Sequence, residues 1–137
     1  MMKNLDRKTS APPGATYMSP EQLDYFADML MEKRESLLRS AHQTIEDLQS
    51  FEPTADDSDR ATQEEDHGME IRVSDREQRQ IRTIDEAMLR IKDGSYGWCA
   101  DTGEEIGLLR MTANPTAIFT IEAQQRHERM EKMQRDK

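Results

Sequence analysis

The chain has one cysteine, Cys99, in 137 residues. An intrachain disulfide needs two, so a secreted disulfide framework is excluded. Long hydrophobic runs are also missing. No stretch approaches the roughly 18 apolar residues of a membrane span, and no signal-peptide core follows the start, so the expected compartment is the cytoplasm, with no membrane partner. Aromatic residues are 5% and apolar residues 34% of the chain, matched by 34% charged residues. That balance suits exposed amphipathic helices with narrow apolar stripes better than a thick compact core. Basic charge is in deficit: 19 Lys and Arg face 28 Asp and Glu, a formal net charge of −9. A duplex-DNA binder needs a basic footprint to displace counterions, so direct sequence-specific DNA binding is not expected. A partner with a basic channel or groove is favoured. No phosphate-binding loop, nucleophile–base constellation or dinucleotide fingerprint occurs, so nothing marks an enzyme.

What the chain does have is helical periodicity around one acidic stretch. Residues 1–18 form an N-terminal leader with Lys3, Arg7, Lys8 and the run Pro12-Pro13-Gly14, expected to be mobile, with part of it lying against the folded body. Ser19-Pro20-Glu21-Gln22 is a helix start: Ser19 can cap, Pro20 suits the first helical position and Gln22 can close a capping box. Leu23, Phe26, Leu30, Leu37, Ala41, Ile45 and Leu48 then recur at three-, four- and seven-residue steps, interrupted by Lys33. A second stripe runs through Ile71, Ile81, Ile84, Met88 and Ile91, with Ser74 and Gln78 filling the gap and Gly68 a weak point. The simplest assembly of residues 19–93 is an antiparallel coiled-coil hairpin. Its tip, residues 53–61, carries Asp56, Asp57 and Asp59, with Glu64-Glu65-Asp66 following. Three aspartates in a turn read by themselves as a solvated loop, with a probe that reaches into a partner as the alternative.

Asp93-Gly94 ends the second helix, Gly94 being suited to a left-handed cap. Residues 94–117 are Gly-rich with interleaved aromatics, suggesting tight turns and a small hairpin. Leu108 to Met111 reads as a short extended piece. Asn114-Pro115-Thr116 offers a helix start, with Thr120 as the later alternative, and residues 118–137 form a C-terminal helix. Cys99 by itself reads as a small buried apolar residue, with redox sensing as the alternative. His42, His67 and His127 are too dispersed for a shared metal site, and the ten methionines read as helix and core filler.

The run Asp93-Gly-Ser-Tyr-Gly-Trp-Cys-Ala-Asp-Thr-Gly-Glu-Glu-Ile-Gly107, followed by Arg110-Met-Thr-Ala-Asn-Pro-Thr-Ala117, resembles the DksA/TraR zinc-finger family. The Asp59-Arg60-Ala61 tip, followed by Gln63-Glu64-Glu65, matches its DksA branch, as does the stretch from Tyr17 to Leu23. The family pattern is two C-x2-C pairs separated by 17 residues, four thiolates suited to a structural Zn²⁺. Here the four positions read Cys99, Thr102, Thr120 and Ala123, with residues 103–119 between the pairs. The spacing survives and the ligands do not, so the resemblance is to a zinc-independent paralogue, held by packing in place of a metal worth on the order of 10 kcal/mol. Trp98, Leu108, Met111, Ile118 and Phe119 are the expected packing residues.

The resemblance implies a mostly α protein: a long antiparallel coiled-coil hairpin on a small globular base, with a zinc-finger-like segment lacking zinc and a C-terminal helix. It implies a monomeric transcription factor that binds bacterial RNA polymerase through its secondary channel. Asp56, Asp59 and Ala61 would form the polymerase-modulating tip, repressing rRNA promoters and activating some amino-acid biosynthesis promoters in the stringent response. The alarmone ppGpp is the implied co-effector. Arg76 and Arg79 keep basic character at its interface, whereas Thr83, Asn114 and Gln124 replace the basic residues common in zinc-containing relatives. No zinc or other cofactor is expected. The alternatives are Gre-like stimulation of transcript cleavage by polymerase, or a coiled-coil adaptor for another partner.

Overall fold

The computed structural model describes residues 16–50, 52 and 56–136, so the leader up to residue 15 and the tip residues 53–55 lie outside the described residues. The order is α1 (Pro20–Gln49), α2 (Asp57–Asp93), α3 (Leu108–Ala113) and α4 (Ile121–Arg135). The fold is mostly α, and no strand longer than an isolated bridge occurs among the described residues. The chain divides into two compact units. One holds the residues up to Leu30 and those from Glu86 onward, the other Met31–Asp85.

In the unit Met31–Asp85, α1 and α2 run antiparallel. Arg34 Nε donates to Asp85 Oδ1 at 2.6 Å, and Thr44 Oγ1, whose proton is shared between Ser40 O at 3.0 Å and Glu77 Oε1 at 3.3 Å, faces Glu77 across the pair. Residue numbers thus fall in α2 as they rise in α1. The first stripe is only partly buried here: Ala41 is buried, Leu37 and Leu48 are half-buried, and Ile45 is exposed. The second stripe differs from its expected course. Ile71 and Gln78 face solvent, while Ser74, Glu77, Ile81 and Ile84 hold the inward positions at three- and four-residue steps. A helix turns about 100° per residue, so the face that carries Ile81 and Ile84 runs back through Glu77 and Ser74 and passes Ile71 by. Helix α2 continues through Gly68.

The other unit is built on an aromatic core. Tyr25, Phe26, Tyr96 and Met111 are 2% exposed or less. The Phe26 ring meets Tyr25 edge-on at 5.3 Å and Tyr96 at 5.5 Å, and the Tyr96 hydroxyl donates to the Pro115 carbonyl at 2.7 Å. Helix α1 opens as its sequence dictates. Ser19 Oγ accepts from Gln22 N–H, and Gln22 Oε1 accepts from the N–H of Met18, one residue earlier than in the usual capping box. Helix α2 ends on Gly94, at φ 85°, with the Gly94, Ser95 and Tyr96 N–H groups converging on the Arg90 carbonyl.

The glycine-rich segment is a small hairpin-like turn with one antiparallel bridge, Trp98 to Glu105. Its ends are pinned from before α1. The Tyr17 hydroxyl donates to Gly97 O at 2.7 Å and accepts from Gly107 N–H at 2.9 Å. Gly97 has φ 88°, where a residue with a side chain is strained, and a Cβ there would also crowd Met18 Cγ at 2.9 Å, so the position favours glycine. Leu108–Ala113 is helical rather than extended: the Thr112 hydroxyl donates to Leu108 O at 2.7 Å, and Met111 is fully buried. Of the five expected packing residues only Met111 is fully buried. Leu108 and Phe119 are half-buried, and Trp98 and Ile118 are 38% and 37% exposed. Tyr96, Ile106, Ala117 and Ala123 fill the interior instead. Asn114-Pro115-Thr116 does not start the last helix; Thr120 does.

Candidate functional site

Helix α2 begins at Asp57, so Asp59 and Ala61 lie in its first turns rather than in a loop. Asp56, the residue before it, acts as the N-cap. Its Oδ1 accepts from Asp59 N–H at 3.4 Å, and its carbonyl accepts from Arg60 N–H at 2.8 Å. Asp56, Asp59 and Ala61 are all exposed. Negative charge at this end is favoured by the helix dipole.

Farther along α2, Arg76 and Arg79 line a groove of about 440 Å³ with Met69, Arg72 and Val73. Arg72 was not singled out from sequence, although it lies one helical turn before Arg76 and shares its face. Arg72, Arg76 and Arg79 are exposed, so they can present fixed positive charge to phosphates or carboxylates. The residues expected to weaken alarmone binding are engaged locally. The Thr83 hydroxyl donates to Arg79 O, Asn114 Oδ1 accepts from the Thr116 hydroxyl, and Gln124 donates to Glu128.

The four positions at metal-ligand spacing come together. Thr120 N–H donates to Cys99 Sγ at 3.4 Å, and the Thr120 hydroxyl lies 3.9 Å from that sulfur. The same hydroxyl caps α4 by accepting from Ala123 N–H at 3.2 Å. Ala123, fully buried, contributes only a methyl group. Cys99 is 4% exposed. Burial pushes its thiol up, but the Thr102 hydroxyl and the N–H groups of Thr120, Thr102 and Asp101 outweigh that and bring it down to about 7. Beside this cluster, His127 Nε2 on α4 pairs with Asp101 Oδ2 at 2.6 Å while its ring stacks on Phe119 at 4.2 Å. From sequence His127 was weighed only as one of three dispersed histidines, and Asp101 was not singled out. Their separation of 26 positions hides the pair, and only the fold brings the turn and α4 into register.

The DksA N-terminal domain family (DnaK suppressor protein DksA) matches residues 22–91, and the prokaryotic dksA/traR C4-type zinc finger family matches residues 94–129. The chain belongs to the DksA family. It is 46% identical over 121 residues to the RNA polymerase-binding transcription factor DksA of Caulobacter vibrioides, covering 88% of this chain and 85% of that protein. It is 35% identical over 111 residues to the protein of that name in Escherichia coli K12, covering 80% and 74%. The structure of transcription factor DksA2 from Pseudomonas aeruginosa superposes with a TM-score of 0.79 at 39% identity, covering 88% of this chain and 93% of that one. The DksA zinc finger is of C4 type, and the residues here do not fit it: one thiol, two hydroxyls and a methyl occupy the four positions, and one hydroxyl is committed to capping α4. Among the described residues no group of three or more His, Cys, Asp or Glu is placed to hold a metal ion.

Proposed function

We propose that this DksA-family protein is a transcription factor that binds bacterial RNA polymerase directly and modulates initiation through the polymerase secondary channel. It represses rRNA promoters and activates some amino-acid biosynthesis promoters in the stringent response, without zinc. The names of its relatives support the partner. The observation that carries the site is the exposed acidic start of α2, Asp56 to Ala61, at the join of a long antiparallel helix pair. A carboxylate probe suits a positively charged channel, and the net charge of −9 would steer its approach. The protein performs no chemistry of its own. It acts in the cytoplasm as a monomer, with neither membrane nor sequence-specific DNA contact.

Arg76 and Arg79 form its side of a ppGpp interface. With Thr83, Asn114 and Gln124 neutral, potentiation by the alarmone is weaker than for a zinc-containing relative. Zinc independence rests on Cys99, Thr102, Thr120 and Ala123, where thiol, hydroxyl and backbone groups satisfy one another.

The test is transcription in vitro from an rRNA promoter with purified polymerase, comparing the chelator-stripped protein with Asp59→Asn, with and without added zinc. Repression by the stripped protein, lost in a variant that still binds polymerase, supports both the tip and the zinc-free reading. Activity restored only by zinc overturns the latter. Inertness under both conditions favours an adaptor role, and faster transcript cleavage at a stalled complex favours the Gre-like one.

A further inference from the structure

Tyr17 and Met18, the two residues before the cap of α1, belong to the same compact unit as the glycine-rich turn. Met18 has φ 54°, and among the described residues it alone, glycines aside, occupies the left-handed region. That conformation is strained for a residue with a side chain and persists only where its surroundings hold it. Two contacts do so here. The buried Gln22 accepts from Met18 N–H through Oε1 at 2.7 Å, and the Met18 side chain lies against Gly97. Tyr17 is thereby held over the base of the turn. Its hydroxyl spends its one proton on Gly97 O at 2.7 Å and accepts from Gly107 N–H at 2.9 Å. Gly97 O also accepts from Ile106 N–H at 2.9 Å. One phenol oxygen thus joins both ends of the turn, while its ring braces Trp98 edge-on at 5.2 Å. These contacts bypass Cys99, Thr102, Thr120 and Ala123.

We propose that Tyr17 is a latch, held in place by the left-handed Met18, which closes the glycine-rich turn at its base. Closure is then set from outside the turn and not at the four positions of metal-ligand spacing. The latch has a chemical signature. Tyr17→Phe removes one oxygen atom, keeps the ring against Trp98, and leaves Gly107 N–H without its acceptor. Its loss is felt at both ends of the turn at once. A change at Cys99 is felt beside Thr120 and leaves the base closed.

The experiment is amide hydrogen exchange of Ile106 and Gly107 in the full chain, with acrylamide quenching of Trp98, its one tryptophan. Wild type is compared with Tyr17→Phe, Gln22→Met and Cys99→Ala, and far-UV circular dichroism follows the helices of each. Protection of Gly107 should fall about tenfold in Tyr17→Phe, the net worth of one or two hydrogen bonds, with Ile106 following and quenching of Trp98 rising. Gln22→Met, which takes the acceptor from Met18 N–H, should give the same pattern at about threefold. Cys99→Ala should leave both readouts at the wild-type level. Unchanged protection of Gly107 in Tyr17→Phe overturns the latch. So does a loss in Cys99→Ala as large as that in Tyr17→Phe, which would place closure at the cysteine. Wild-type protection in Gln22→Met overturns the part given to Met18. Loss of helicity and of protection throughout the unit in Tyr17→Phe would make Tyr17 a general packing residue, and the latch falls with that result too.

Discussion

The two units of this chain solve opposite problems with the same kind of helix. The unit containing the glycine-rich turn buries large side chains completely: Tyr25, Phe26, Tyr96 and Met111 are 2% exposed or less. The helix pair Met31–Asp85 leaves Met31, Leu38, Ile45, Ile71 and Val73 more than a third exposed and turns Ser74 and Glu77 inward. One unit is an aromatic core joined to a turn that keeps one cysteine among the four metal-ligand positions. The other is a seam that turns polar side chains inward among partly exposed apolar ones. Burial of large side chains is thus concentrated in the unit that also holds Cys99, and the helix pair that carries the acidic start of α2 buries fewer of them.

The largest expected effect tests that contrast directly. Phe26→Ala removes a ring packed between Tyr25 and Tyr96 and should cost about 3–5 kcal/mol in denaturant unfolding. Ile71→Ala, at a side chain 43% exposed, should stay within about 0.5 kcal/mol. Similar costs at both sites would break the comparison.

A second effect follows from Cys99. Its thiol is lowered from an ordinary value of 9.0 to about 7 in the folded protein. A depressed pKa contributes stability that is complete above the unfolded value and lost as pH falls through the folded one. Unfolding free energy should therefore rise between pH 7 and 9, by roughly 2–3 kcal/mol at about 1.4 kcal/mol per unit. Cys99→Ala should flatten that rise. An equal rise in the variant would show that the hydrogen bonds around the sulfur do not stabilise its thiolate.

These two regions were unequally legible in the sequence. The Ser19–Gln22 start, the Gly94 stop and the hairpin could be read because caps and helical period act over a few residues. The partly buried second stripe was harder: polar Ser74 and Glu77 carry the inward face, so apolar residues alone pointed to Ile71. Trp98 was expected inside because it is large and apolar. The structure instead packs its ring edge-on against Tyr17 at 5.2 Å and leaves it partly exposed. The spacing of Cys99, Thr102, Thr120 and Ala123 was visible, and so was Thr120 as an alternative helix start, but not that its N–H would hydrogen-bond the thiol. Long-range pairs such as Asp101–His127 have no local signature at all.

A third measurement sharpens the account of the seam. Thr44 and Glu77 can be replaced together by Val and Leu, which removes an inward-facing hydroxyl–carboxylate bond without leaving either partner behind. Such replacements are commonly neutral or stabilising, here by about 1 kcal/mol. Thermal unfolding should shift upward, while repression in the transcription assay weakens if the bond serves pairing. A clear loss of stability would mean that the seam depends on this bond energetically.

The smallest effect concerns the pair beside the cysteine. Asp101 and His127 meet at 2.6 Å, but their side chains are 37% and 40% exposed. The pair is ionic only when the imidazole is protonated, and in that form solvent screens it, exposed ion pairs being worth about 0.2–1 kcal/mol. Asp101→Asn keeps an acceptor for the imidazole N–H and removes only charge, while the stack of His127 on Phe119 stays in place. The expected loss is about 0.5 kcal/mol at low salt, vanishing near 1 M salt, where the Debye length shrinks to about 3 Å. A salt-independent loss as large as that of Phe26→Ala would mean that this cross-link, rather than the aromatic core, holds the turn against α4. That result would reverse the assignment of strength within the unit, because the stabilisation supplied elsewhere in the family by metal ligands would then come from one exposed pair.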